Sequence, residues 1–297
     1  MSDLRHLPPA TPPPPAGGSG RGPSPAVILV AGLLAVALAA TLVFVLIRPT
    51  GGSGDAGPAA PGPAASPAPA EPEPLEGDDT SAAKLLGWGD PVYTETFDGT
   101  LGEEWQLYDG VGHGGNGKRR PDTISVQDGQ LTITGDSEGR TGGMALDVGQ
   151  MYGRWEGRVQ APPTDETYNA LLLLWPDAED WPEGGEVDFM EMTDPTRQKT
   201  KFFLHYSEDD LKIEGEVLAD ATQWRNWAVE WTPEHIVAYL DGKEWFRTEQ
   251  VDALPPRPMH LTIQLDWFPE QGDEDPTNDV ENSTMHVDWI RQYEYTP

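Results

Sequence analysis

The chain of 297 residues has no cysteine, which excludes disulfide staples and thiolate metal sites. Cationic residues are scarce: 19 Lys and Arg stand against 50 Asp and Glu, a formal net charge of −31. A surface that acidic repels phosphate backbones, so nucleic acid is excluded as a partner and neutral or cationic partners are favoured. Helical periodicity is almost absent after residue 86, and that part of the chain is read as strands. His113, His205, His235, His260 and His286 show no close metal-ligand spacing, so a catalytic metal is not expected. The glycine-rich stretch GHGGNGKRR, residues 112–120, lacks the strand-loop-helix context of a phosphate cradle.

What is present divides the chain into four parts. Residues 26–47 form an uncharged apolar run of 22 residues. As a helix this spans a bilayer core of roughly 30 Å, and it is read as a transmembrane signal anchor. A cleaved signal peptide would use Ala37-Leu38-Ala39, but the apolar run continues from Thr41 to Ile47, beyond the usual length of such a segment. Residues 1–25 read as a disordered cytoplasmic tail. Residues 48–85, rich in Pro, Ala and Gly, read as an extended linker that buries too little apolar surface to fold. Residues 86–297 are left as one folded domain. Arg5 and Arg21 precede the span and Arg48 follows it, so charge asymmetry does not orient it. Nearly all the net negative charge belongs to the domain.

Within the domain, TISVQDGQLTIT (123–134) and IVAYLDGKEWFRT (236–248) each place Asp-Gly between alternating strands, the pattern of a two-residue hairpin turn. Further strands are predicted over 153–161, 169–176, 201–207, 224–232, 259–268 and 285–295. Many short strands over about 200 residues predict an all-β sandwich or jelly roll. In MHLTIQLDW, Met259, Leu261, Ile263, Leu265 and Trp267 share one face, and His260, Thr262, Gln264 and Asp266 the other. All 11 tryptophans lie in the domain. Aromatic platforms beside polar side chains suit sugar rings, which have apolar faces and polar rims.

GGEVDFMEM, residues 184–192, interleaves Glu186, Asp188 and Glu191 with Val187, Phe189, Met190 and Met192. The apolar spacers mark a strand inside a packed sheet, where each carboxylate needs a partner or a purpose. On a regular strand Glu186 and Asp188 share a face and Glu191 takes the other; a bulge near Phe189-Met190 restores its parity. The two glutamate side chains could then lean to about 5–5.5 Å apart, the spacing of retaining glycosidases. Three neighbouring acids do not all ionise cheaply, so at least one pKa should rise.

Glu186-Val187-Asp188-Phe189-Met190-Glu191 resembles the active-site strand of glycoside hydrolase family 16, in its bulged, laminarinase-like form. YGRWEGRVQAP (152–162), WAVEWTPEHIVAYLDGKEWF (227–246) and VDWIRQYEY (287–295) follow the family's order. The resemblance implies a concanavalin A-like jelly roll of two curved antiparallel sheets with a cleft on the concave face. It implies a retaining, endo-acting hydrolase or transglycosylase with Glu186 as nucleophile, Glu191 as acid/base and Asp188 as the residue orienting the nucleophile. No cofactor is required; a structural calcium on the convex face would involve Glu95 and Asp288. Cleft candidates are Asn116, Trp175, Trp181, His205, Gln264 and Trp267. Where family members carry Trp in a phrase like FWLLP, this chain has LLLLWP, with Leu172 or Leu173 at that place and Trp175 shifted. β-1,3- or mixed-linkage glucan is therefore a default substrate. The rival class is a carbohydrate-binding module on the same architecture, which would gain nothing from three desolvated carboxylates. The expected partners are a polysaccharide and, through the helix, the cell membrane. The domain is expected to be a monomer outside the cell.

Overall fold

Residues 77–272 and 282–297 are described in the computed structural model. The tail, the predicted membrane span and the linker up to residue 76 lie outside the described residues. The strands in chain order are β1 Tyr93–Glu95, β2 Trp105–Leu107, β3 Gly110–Val111, β4 Lys118–Arg119, β5 Ile124–Gln127, β6 Gln130–Asp136, β7 Arg140–Leu146, β8 Gly153–Gln160 and β9 Tyr168–Pro176. They continue with β10 Glu186–Met192, β11 Lys199–Tyr206, β12 Leu211–Leu218, β13 Arg225–Trp231, β14 Ile236–Leu240, β15 Lys243–Thr248, β16 Met259–Trp267 and β17 Asn282–Glu294.

Two sheets result, as in a jelly roll. One has eight strands in the order β15-β14-β13-β8-β17-β6-β5, with β1 beside β17. The other has nine, β12-β11-β10-β9-β16-β7-β4-β3, with β2 beside β7. Pairing is antiparallel except for the short β4–β7 contact, where Lys118 lies beside Arg140 in parallel. Both predicted hairpins form. Asp128 and Gly129 have φ of 54° and 74°, and Asp241 and Gly242 have 47° and 69°, the left-handed pair such a turn requires.

The core lies between the sheets. Trp155, Trp227 and Trp231 point into it from the eight-stranded sheet and meet Leu172, Leu174 and Phe202 of the nine-stranded one. Trp155 and Trp231 stack with centroids 6.4 Å apart. Each such indole removes on the order of 200 Å² from water, so these three rings alone account for much of the adhesion between the layers.

The domain begins earlier than its composition suggested. Residues 77–85, assigned above to the linker, form a 3-10 turn (Gly77–Thr80) and most of the helix α1 (Ala82–Leu86). Ser81 caps α1 by accepting from the Lys84 amide, and the buried Glu156 carboxylate of β8 accepts from the Ala82 amide at 2.6 Å. Ala82 packs with Ala228, Val237 and Tyr239 on the outer face of the eight-stranded sheet. The contact is made by Ser and Ala, too small to register as a hydrophobic pattern. Among the described residues, no helix is long and apolar enough to cross a membrane.

Candidate active site

The site is built around a defect in β10. Against β9, Asp188 pairs with Leu173 and Met190 with Leu172; against β11, Asp188 pairs with Phe203 and Glu191 with Lys201. One residue of β10 is therefore extra, and the bulge falls at Phe189-Met190, where parity required it. Glu186, Asp188 and Glu191 consequently line one cleft, while Val187, Phe189, Met190 and Met192 stay in the core. The cleft, of about 1240 Å³, runs across the outer face of the nine-stranded sheet.

Burial raises all three acids. Asp188 is 3% exposed and Glu191 9%. Burial first, then the charges of Glu186 and Glu191, hold Asp188 well above the usual carboxylate range. Burial and the Glu191 charge push Glu186 up to about 8, against an opposing hydrogen bond from the Trp181 indole. With all three raised, the trio does not ionise fully near neutrality. Burial pushes Glu191 to about 7, although the Asn169 amide donates to its Oε1 at 2.8 Å and Lys201 and Lys212 favour its charge.

The neighbours are held by ion pairs. Arg119 forms a two-point contact with Asp266, its Nε donating to Oδ1 at 2.9 Å, and also donates to Gln264 Oε1. Burial alone would lower the Arg119 pKa, but Asp266 more than offsets this. His205 lies opposite Glu186 on β11 and its Nδ1 is 2.6 Å from Asp210 Oδ1. Burial pulls its imidazole below the ordinary value, against the pull of Asp210. The Trp175 and Trp181 rings are nearly parallel, 9° apart in plane with centroids 6.4 Å apart, and Trp175 donates to Glu179.

Of the predicted cleft residues, Trp175, Trp181, His205 and Gln264 line the cleft with the three acids. Trp267 does not. It sits on the apolar side of β16, packed on the core, and a Cβ on Gly139 would meet its ring at 2.1 Å. Asn116 is also not among the cleft-lining residues; the loop presents His113 and Gly114 there instead. Gly114, Gly115 and Gly117 all have left-handed φ, so the loop turns back tightly at Asn116. The glycines of this loop serve close packing, since Gly117 also lies against Trp267.

Glu95 and Asp288 are on β1 and β17 of the other sheet, and their carboxylates have protein partners. Glu95 accepts from the Phe97 amide and the Trp105 indole, and Asp288 pairs with Arg158 at 3.0 Å. Among the described residues the one group spaced for a metal ion is Glu186, Asp188 and His205.

Sequence reasoning missed Asn169, Arg119, Asp266, Lys201 and Phe203. Alternation contained part of the signal, because Asp266 shares the face of Gln264 and Asn169 that of Leu173 and Trp175. Arg119 gave none, since it stands on a two-residue strand.

Residues 116–291 match the family described as "Glycosyl hydrolases family 16". The chain is 28% identical over 169 residues to a beta-glucanase of Rhodothermus marinus, covering 48% of this chain and 58% of that protein. It is 28% identical over 188 residues to the endo-1,3-1,4-beta-glycanase ExsH of Rhizobium meliloti, covering 57% and 39%. The chain thus spans less than two thirds of the length of either relative. The fold matches LamA of Zobellia galactanivorans, solved in complex with laminaritriose and laminaritetraose, with a TM-score of 0.60. Identity there is 18%, over 69% of this chain and 98% of that one. With a family match over more than half its length and a bulged strand of three acids across a cleft, the chain belongs to glycosyl hydrolase family 16.

Proposed function

We propose that the protein is a retaining endo-β-glucanase that cuts β-1,3- or mixed-linkage glucan by double displacement. The observation that carries this reading is the bulge in β10, which sets Glu186, Asp188 and Glu191 along one cleft. Glu186, in its ionised form and with Asp188 beside it, attacks the anomeric carbon. Glu191, with its pKa at about 7, is protonated often enough near neutrality to donate to the leaving oxygen. Once Glu186 is esterified by the sugar, its charge disappears and Glu191 loses a repelling neighbour. Glu191 then takes a proton from water, which releases the sugar with its original anomeric configuration.

The open cleft suits a polymer chain rather than a chain end. The glucan preference is supported by the relatives named for β-glucan cleavage and by the laminarin oligosaccharides bound to the Zobellia protein. Parallel Trp175 and Trp181 offer two sugar-sized platforms beside the nucleophile. The apolar run 26–47 and a polymeric substrate together support action outside the cell from a membrane anchor.

The test compares the full chain with its Glu186→Gln variant on laminarin, mixed-linkage β-glucan, cellulose oligomers and agar-type galactans, following the first product anomer by proton NMR. Early β-anomer from the wild type alone is expected. Early α-anomer would refute double displacement, and equal binding without cleavage by both proteins would make the domain a binding module.

A further inference from the structure

The floor of the cleft carries an arrangement that glycoside cleavage does not require. His205 Nδ1 is engaged by Asp210 at 2.6 Å, so the tautomer with the proton on Nδ1 leaves the Nε2 lone pair free. That Nε2 lies 3.7 Å from Asp188 Oδ2, too far for a hydrogen bond. The other oxygen of Asp188 is buried with no hydrogen-bond partner. One ligand atom each from Glu186, Asp188 and His205 lies within 4.8 Å of the other two.

We propose that Glu186, Asp188 and His205 form a site for a divalent transition cation of the zinc class, which occupies the cleft floor in competition with substrate. Adjacent ligands of a tetrahedral zinc centre, at roughly 2.1 Å from the metal, stand about 3.4 Å from one another. The observed spacing is therefore within a side-chain adjustment of coordination. Imidazole favours zinc or copper over magnesium or calcium. The Asp210–His205 contact supplies the carboxylate–histidine pairing that orients a metal-bound imidazole. Both carboxylates coordinate as anions, and any proton they carry is released to solvent on binding. A fourth position faces the open cleft.

Metal binding stands apart from the glucanase reading; only its effect as a block rests on that reading. The test titrates zinc chloride into the full chain by calorimetry, in two buffers of different ionisation enthalpy. One site per chain with proton release is expected in the wild type and none in His205→Ala. Asp210→Ala, whose side chain is not a ligand, should bind zinc 10–100-fold more weakly with an unchanged melting temperature. The proposal is overturned by a wild type that binds no zinc, or by His205→Ala and Asp210→Ala binding it as the wild type does. In parallel, zinc should suppress laminarin cleavage and EDTA should restore it. Zinc binding as described in a protein that cleaves no glucan without metal would sink the hydrolase reading and leave the site standing.

Discussion

On the proposed mechanism, Asn169 should set the alkaline limit of activity. Its amide donates to Glu191 Oε1 at 2.8 Å, and both residues are buried. The bond is stronger to the ionised carboxylate than to the acid, so it holds the Glu191 pKa down against desolvation. A hydrogen bond to a charged group contributes about 1.5–3 kcal/mol. At 1.36 kcal/mol per pKa unit, its removal corresponds to a rise of about one to two units. Asn169→Ala should therefore carry the alkaline limb of kcat/KM upward by about one to two pH units from its wild-type position near 7. The plateau rate should fall, because an acid with a higher pKa is a poorer donor and its carboxylate is less well oriented. The assay is reducing-sugar release from laminarin between pH 4 and 10. A loss that scales the rate equally at every pH, leaving the limb in place, would show that Asn169 only supports packing. A limb that moved downward would refute the electrostatic reasoning altogether.

Other expectations follow from the same geometry. Because burial raises Glu191, the folded state binds its proton more tightly than the unfolded chain, and stability falls as pH climbs from about 4.5 through 7. Glu191→Gln should thus melt higher than the wild type at pH 8, by the equivalent of roughly 3 kcal/mol at most, and equally at pH 4; a pH-independent difference contradicts this. Trp267→Ala should cost about 2–3 kcal/mol in urea unfolding, less than a fully buried tryptophan, with KM unchanged, because the ring packs on the core; a raised KM at unchanged stability would return it to the cleft. Ser81→Ala removes the cap of α1 and should cost about 1 kcal/mol, seen as faster amide exchange confined to residues 82–88; exchange spreading into β8 would show that the helix is not a separate unit.

Much of the sandwich was legible from alternation. All six predicted strand segments outside the hairpins and the acid strand form, to within three residues at their ends, because their apolar side meets a core that fixes register. β7 was missed because Gly142 and Gly143 interrupt it. There the backbone itself is the packing surface: a Cβ on Gly143 would meet the Tyr108 ring at 2.8 Å. β12 was missed for the opposite reason, as an edge strand with Lys212, Glu214 and Glu216 exposed it carries little apolar signal. At the site, the acids and their bulge could be read because one strand holds them. Asn169, Arg119 and Asp266 are brought in by pairing between strands far apart in sequence, and a linear pattern holds no record of that pairing. Trp267 shows the converse hazard. Its residue type suggested sugar, while its parity, already visible in MHLTIQLDW, assigned it to the core.

The placement of α1 has a mechanical consequence. Gly77 lies on the outer face of the eight-stranded sheet, where its carbonyl accepts from Asn226, and the cleft opens on the far side of the other sheet. A force applied to the chain at Gly77 is thus borne by a few contacts on the back of the sandwich: the Asn226 amide, the Glu156–Ala82 bond and the small apolar patch beneath α1. These would peel one after another, at low load, before any strand of the catalytic sheet is pulled. A domain gripping a polymer fixed in place could then stretch its attachment by the length of this strap while the geometry of its three acids stayed intact.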